Sequence, residues 1–225
     1  MKKYISELLG TFGLVFAGTG AIIINQVSNG AVTHVGIALT FGLIILAMIY
    51  TFGDVSGAHF NPAVTIGFWI ARRLEGRFVL PYILSQGTGA LLASALLRLL
   101  FPENKLLGST LPAGSEMQSF ILEYVLTFFL MLVILNVSTG AKEKGVTAGI
   151  AVGAVIGLEA MFAGPICGAS MNPARSLAPA LVSGHLEHHW LYMAAPILGA
   201  ISARFACQCV REKGCCDSLP EKVTT

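Results

Sequence analysis

Hydrophobic positions fall along this chain in long unbroken runs, not in the alternation of a half-buried strand or the narrow stripe of a surface helix. Runs long enough to cross a hydrocarbon core of about 30 Å extend over roughly 4–27, 34–53, 79–101, 118–139, 146–165 and 190–210. They predict six membrane-spanning helices. Two further apolar segments, about 61–71 and 172–183, cover only about half that thickness at roughly 1.5 Å per residue. They read as re-entrant half-helices. The pattern therefore predicts an all-α membrane protein.

Both half-helices begin with the same words. Ser56-Gly57-Ala58-His59-Phe60-Asn61-Pro62-Ala63-Val64 in the first half is matched by Cys167-Gly168-Ala169-Ser170-Met171-Asn172-Pro173-Ala174-Arg175 in the second. Asn is a strong N-cap, because its side-chain oxygen accepts from an otherwise orphaned N–H of the first turn. Pro in the next position loses nothing, since its missing N–H would be unpaired there. The amide NH2 of Asn61 and of Asn172 is then expected to point outward as a donor. Two such donors facing each other would be a site.

The duplication runs the length of the chain. Glu7, Thr11 and Phe12 recur as Glu123, Thr127 and Phe128, while Tyr82 and Gly89-Ala90 recur as Tyr192 and Gly199-Ala200. A repeat of three spans is odd, so the second copy must sit upside down relative to the first. The half-helices then enter from opposite faces and their N-termini meet near the midplane. One domain is expected over 1–211, with inverted repeats of about 1–105 and 116–211 and a short Cys-containing cytoplasmic tail, 212–225. The connection from Pro102 to Ser115 joins the halves, and Ala141 to Gly145 reads as a clipped, charged loop.

Composition sharpens this. With 55% hydrophobic and 12% charged residues the chain is no ordinary soluble domain. Its net charge of +2 reflects topology and implies no nucleic acid: Lys2, Lys3, Arg72, Arg73, Arg77, Lys142, Lys144, Arg211, Lys213 and Lys222 share one side if both termini are cytoplasmic, against Arg98 and Lys105 on the other. The opening Lys pair and apolar run imitate a signal peptide, but Glu7 sits inside the run and has its repeat counterpart, so it reads as a retained first span. Cys207, Cys209, Cys215 and Cys216 read as free thiols in a reducing compartment in preference to a metal or acylation site.

Few polar residues are candidates for chemistry. A carboxylate inside a span needs partners, and re-entrant loops expose backbone groups that lipid cannot satisfy. Glu7 and Glu123 are expected to buttress those loops. Arg175, where the first copy has Val64, places an unmatched charge beside the proposed pathway. His59 reads as structural, His185, His188 and His189 as a solvated loop, and Asn136-Val137-Ser138 as a glycosylation triplet on the wrong side. Gly145, Gly149, Gly153 and Gly157 form a smooth stripe that lets a neighbouring helix approach. No nucleophile with its base, paired catalytic carboxylates, phosphate-cradling loop or metal spacing stands out, so neither an enzyme, a cofactor nor a metal is expected.

Taken together, the paired Asn-Pro-Ala motifs in an inverted duplication resemble the aquaporin, or major intrinsic protein, family from Glu7 to about Cys207. Gly164-Pro165 and Gly168-Ala169-Ser170-Met171-Asn172 are similar to the plant nodulin-type and related prokaryotic members, which pass small uncharged solutes. The resemblance implies homotetramers in the cell membrane, one pore per subunit, and an outer constriction formed here by Phe41, Ala160, Ala169 and Arg175. Strict water channels carry His at the Ala160 position, so a wider and less polar constriction is implied. Ser176 and Tyr192, in contrast, look like the water type. Glu159 either faces a neighbouring helix or lines the widened mouth. The implied activity is passive passage of water and small neutral solutes such as glycerol, with protons and ions excluded. The rivals are a strictly water-selective channel, an alternating-access transporter, which inverted repeats also serve, and a structural or adhesive membrane protein.

Overall fold

The computed structural model describes residues 1–138 and 142–210, with backbone alone from 142 to 146. Eight helices follow one another: α1 (Lys2–Val27), α2 (Thr33–Ser56), α3 (Pro62–Ile70), α4 (Gly76–Leu100), α5 (Glu116–Val137), α6 (Lys142–Cys167), α7 (Pro173–Ser183) and α8 (His189–Val210). Six are long and apolar enough to span a bilayer. Short α3 and α7, of 9 and 11 residues, are the half-helices. The chain is a multi-pass membrane protein.

Spans run past the hydrophobic runs at their polar ends. Asp54 and Ser56 extend α2 until Gly57, in the left-handed region at φ +83°, stops it. The stretch from Lys142 to Gly145, read from its charges as loop, is the first turn of α6. Helical geometry continues where side chains no longer face hydrocarbon, and hydropathy cannot see it.

Packing repeats with the sequence. α1 packs on α2 and α4, and α5 packs on α6 and α8 in the same way. The half-helices cross over, with α3 against α8 and α7 against α4, so each half of the chain holds the other's short helix. Close approaches need missing side chains. A Cβ on Gly89 would lie 2.2 Å from the Leu8 carbonyl oxygen, and one on Gly199 would lie 2.3 Å from that of Tyr124. Where α2 crosses α6, a Cβ on Gly42 would meet the Gly153 oxygen at 2.5 Å and one on Gly153 would meet the Gly42 oxygen at 2.6 Å. Gly149 takes the Tyr50 ring, so the glycine stripe of α6 serves the α2 contact; Gly145 falls outside the described side chains. Leu39, Leu80, Leu84, Phe129 and Phe162 stay exposed on the outside of the bundle, as a lipid-facing surface requires.

Candidate functional site

The two motif loops are built alike. Gly57 and Gly168 have φ of +83° and +84°, and two non-glycine residues in each loop are also left-handed: Ala58 and Phe60 at +51° and +50°, Ala169 and Met171 at +41° and +54°. Left-handed backbone at a Phe costs about 1 kcal/mol or more and persists only where surroundings demand it. Here the demand is a carboxylate. The twisted backbone turns successive N–H groups the same way, so His59 N and Phe60 N donate to Glu7 at 3.0 and 2.8 Å, and Ser170 N and Met171 N donate to Glu123 at 2.7 Å each. Both acids are fully buried, and Thr11 and Thr127 bond back to the acids' own carbonyls at 2.7 Å.

Around Glu7 the polar set is larger. Ser56 Oγ and Gln86 Nε2 also donate to it, both at 2.7 Å, and Gln86 further donates to Thr65 Oγ1 at 2.9 Å. Thr65 Oγ1 in turn lies 3.1 Å from His59 Nδ1, and the His59 ring stacks on Phe68 with the ring centres 4.5 Å apart. His59 is therefore a satisfied side chain. It also borders the passage described below.

Each Asn caps its half-helix. Asn61 Oδ1 accepts from Ala63 N at 2.8 Å, and Asn172 Oδ1 from Ala174 N at 3.0 Å and Arg175 N at 3.3 Å. The amide groups are not simply pointed into open space. Asn61 Nδ2 donates to the Met171 carbonyl at 2.7 Å, and Asn172 Nδ2 to the Phe60 carbonyl at 2.9 Å. One hydrogen of each NH2 is thus spent on the opposite loop, which fixes the amide plane and leaves the second hydrogen with a set direction.

Both Asn residues border one narrow cavity of about 100 Å³. Gly57 to Phe60 and Ala169 to Met171 form its polar side, and Ile45, Val64, Leu130, Val152 and Ile156 an apolar wall. Phe41, Ala160, Ala169 and Arg175 all border it as well. Arg175 is buried, its guanidinium carbon 5.1 Å from the Phe41 ring centre and its Nη1 donating to the Gly108 carbonyl at 2.9 Å. A cation over an aromatic face at this distance is attracted by the ring. Toward the other end the lining reaches Val137, Ser138 and Ala148.

A polar-and-apolar passage between two capped half-helices invites comparison with known proteins. Residues 1–206 match the family described as Major intrinsic protein. The chain belongs to this family. Aquaporin NIP1-1 of Oryza sativa subsp. japonica is 47% identical over 212 residues, covering 94% of this chain and 75% of the relative. Nodulin-26 of Glycine max is 43% identical over 212 residues, covering 94% and 78%. In fold, the chain is like the aquaglyceroporin from Plasmodium falciparum, with a TM-score of 0.83 at 24% identity over 92% of this chain and 95% of that one.

Within this major intrinsic protein several contributors escaped the sequence. Gly108 supplies its carbonyl to Arg175 from a connecting loop whose Leu107 is fully buried, and the apolar pair Leu106-Leu107 before a glycine was the available signal. Thr110 Oγ1 donates to Ser176 Oγ at 2.9 Å, and Ser176 in turn meets Ser170 Oγ. Pro165, inside α6, has no N–H for the Met161 carbonyl one turn back. His34 Nε2 of α2 donates to that carbonyl at 2.7 Å, pinning α2 to α6 one residue beyond Ala160. Glu159 is buried but is not part of the passage lining; its Oε2 makes no hydrogen bond to the described residues. His188 and Trp190 bind Glu116 at the start of α5, and no group of three or more metal-ligating side chains occurs among the described residues. Cys215 and Cys216 lie outside the described residues.

Proposed function

We propose that this chain is a passive membrane channel for water and small uncharged solutes such as glycerol, closed to protons and ions. The observation that carries the reading is the single passage bordered by both Asn residues and by Phe41, Ala160, Ala169 and Arg175. The relatives' names, aquaporin and nodulin, agree with it.

The mechanism follows from the bonds. A water at the centre accepts the remaining Nδ2 hydrogen of Asn61 and of Asn172. Its own hydrogens then turn apart, toward the waters above and below, and a continuous proton wire is interrupted. Two half-helix N-termini add roughly half a positive charge each, and Arg175 adds a full one at the outer constriction. Cations meet a barrier, by the electrostatic logic known for aquaporin-type pores. The Glu7 and Glu123 carboxylates hold the loops in the shape that keeps these donors aimed. On the same passage as Arg175 and Phe41, the small side chain of Ala160 leaves space for a solute's carbon skeleton, and this favours polyol passage over a strict water filter.

The same reading puts both termini in the cytoplasm of a cell membrane, treats 1–211 as one channel domain, and expects homotetramers with a pore in each subunit. Stopped-flow light scattering on proteoliposomes under a glycerol gradient tests the activity. Faster shrinkage and faster recovery than in empty liposomes support dual passage. Faster shrinkage alone makes the protein a water channel, the reading Ser176 favours, and saturable, coupled uptake would make it an alternating-access transporter.

A further inference from the structure

Pro165 leaves a demand in the last turns of α6 that α2 meets. Its ring nitrogen has no hydrogen to give the Met161 carbonyl, and lipid offers none either, so this oxygen needs a donor from another element. His34 Nε2 supplies it at 2.7 Å; because a carbonyl only accepts, that nitrogen carries the hydrogen. The contact is shaped for the ring. A Cβ on Gly164 would lie 3.0 Å from His34 Cε1, so a larger residue there would crowd the imidazole. The backbone before His34 is wound to deliver it. Thr33, a β-branched residue, has φ of +63°, a conformation such residues hold only where the surroundings enforce it. Asn25 Oδ1 of α1 does so by accepting from Thr33 N at 2.8 Å, and Thr33 Oγ1 then accepts from Gly36 N at 3.3 Å in the first turn of α2.

This bond lies next to the constriction. Ala148, Val152, Ile156 and Ala160 border the passage at every fourth residue of α6, along one side of the helix, and Met161 follows directly. On α2, Phe41 borders the passage, and His34 lies two turns before it on the same face. The same two helices also touch at Gly42 and Gly153, where a Cβ on either would meet the other's carbonyl oxygen. Phe41 and Ala160 therefore stand between two fixed points, the glycine crossing and the His34 tie. Without the tie, the outer end of α6 is free to swing about the crossing and carry Ala160 away from Phe41. Resting on the channel proposed above, we infer that His34 is a positioning residue for solute selection: its bond to the Met161 carbonyl holds Ala160 at a set distance from Phe41 and so limits the size of polyol that passes.

The test compares glycerol with the longer polyol erythritol in stopped-flow light scattering on proteoliposomes of the full chain. His34→Ala should lower the glycerol-to-erythritol permeability ratio roughly fivefold, the order of one net hydrogen bond, while water permeability changes much less. His34→Gln, which keeps a donor at similar reach, should restore most of the ratio. Pro165→Ala gives residue 165 an N–H for the Met161 carbonyl, so in that background His34→Ala should change the ratio little; the double-mutant cycle thus reads the bond itself. An unchanged ratio in His34→Ala overturns the inference. So does a ratio equally low in His34→Gln, which would make the ring's shape the cause, or an undiminished effect beside Pro165→Ala, which would route it around the carbonyl. A wild-type chain that passes neither polyol removes the solute-channel reading and this inference with it, whereas glycerol passage with unaltered discrimination removes the inference alone.

Discussion

The two motif loops have nearly the same backbone, yet they are held by different means. In the first, the Glu7 carboxylate gathers four donors, two from the backbone and two from Ser56 and Gln86. In the second, the positions matching Ser56 and Gln86 are Cys167 and Pro196; Ser170 N and Met171 N donate to Glu123, and beside them is only the weaker donor of the Cys167 thiol. The second loop is secured instead from outside the repeat, by the connecting loop. Gly108 takes Arg175, and Thr110 takes Ser176, which bonds to Ser170. The two copies thus share a backbone geometry although the second has weaker side-chain donors and a tether that the first lacks. The tethered copy is the one that carries Arg175, so the stiffest polar network lies away from the residues proposed to select the solute.

The largest expected effects come from removing the carboxylates. Glu7→Ala orphans four buried donors and Glu123→Ala two, at roughly 1–3 kcal/mol for each donor left without a partner. Both variants should lose stability, Glu7→Ala the more. Thermal unfolding in detergent, with the yield of folded protein, checks the order; a larger loss in Glu123→Ala would mean that the tether does not share the work of holding the second loop.

Next is the charge that the second loop alone carries. Arg175→Val gives that loop the residue of the first copy, removes the bond to Gly108, and leaves the half-helix dipoles as the remaining barrier. Proton leak, read by a pH-sensitive dye in proteoliposomes, should rise roughly tenfold, which corresponds to about 1.4 kcal/mol of lost barrier. An unchanged leak would assign exclusion to the midplane pair, Asn61 and Asn172. The third effect is on selection. Ala160→His should lower glycerol flux about tenfold by filling space in the passage that Arg175 also borders, again about 1.4 kcal/mol of added barrier, while water flux falls much less. An equal fall in both would remove Ala160 from the constriction.

What could be read from the chain, and what could not, divides along the same line as the two loops. Spans, half-helices and caps are local: hydropathy, Asn followed by Pro, and a repeated Glu are each visible within a few residues. The symmetric part of the site was legible for that reason. The part that joins distant segments is tertiary. That Asn61 spends a hydrogen on Met171 depends on two half-helices meeting, and that Gly108 reaches Arg175 depends on how the loop from Pro102 to Ser115 folds inward. His34 illustrates the middle case: Pro165 announces an orphaned carbonyl in α6, but only the packing of α2 on α6 reveals what fills it.

The smallest expected effect is the most direct probe of the comparison. Ser56 Oγ donates to Glu7 at 2.7 Å and accepts from Ala58 N at 3.1 Å. At the matched place Cys167 Sγ accepts from Ala169 N at 3.4 Å and donates to the Ala163 carbonyl at 3.5 Å, with the Glu123 carboxylate beside it. A thiol is a weak donor. Cys167→Ser therefore restores to the second loop the hydroxyl that the first possesses, and a hydrogen bond to a buried carboxylate contributes about 1.5 kcal/mol or more. Against this stands the smaller volume of Ser in a fully buried position, a fraction of the 1 kcal/mol or so that a lost methyl-sized volume costs. The gain should exceed the loss and raise the unfolding midpoint by a few degrees, whereas Ser56→Cys should lower it by a similar amount. Opposite signs for the two exchanges would establish that the loops differ in donors. If both exchanges lower the midpoint, each site is fitted to its own side chain by shape, and the missing donor at the second loop has been made good by the tether from Gly108 and Thr110.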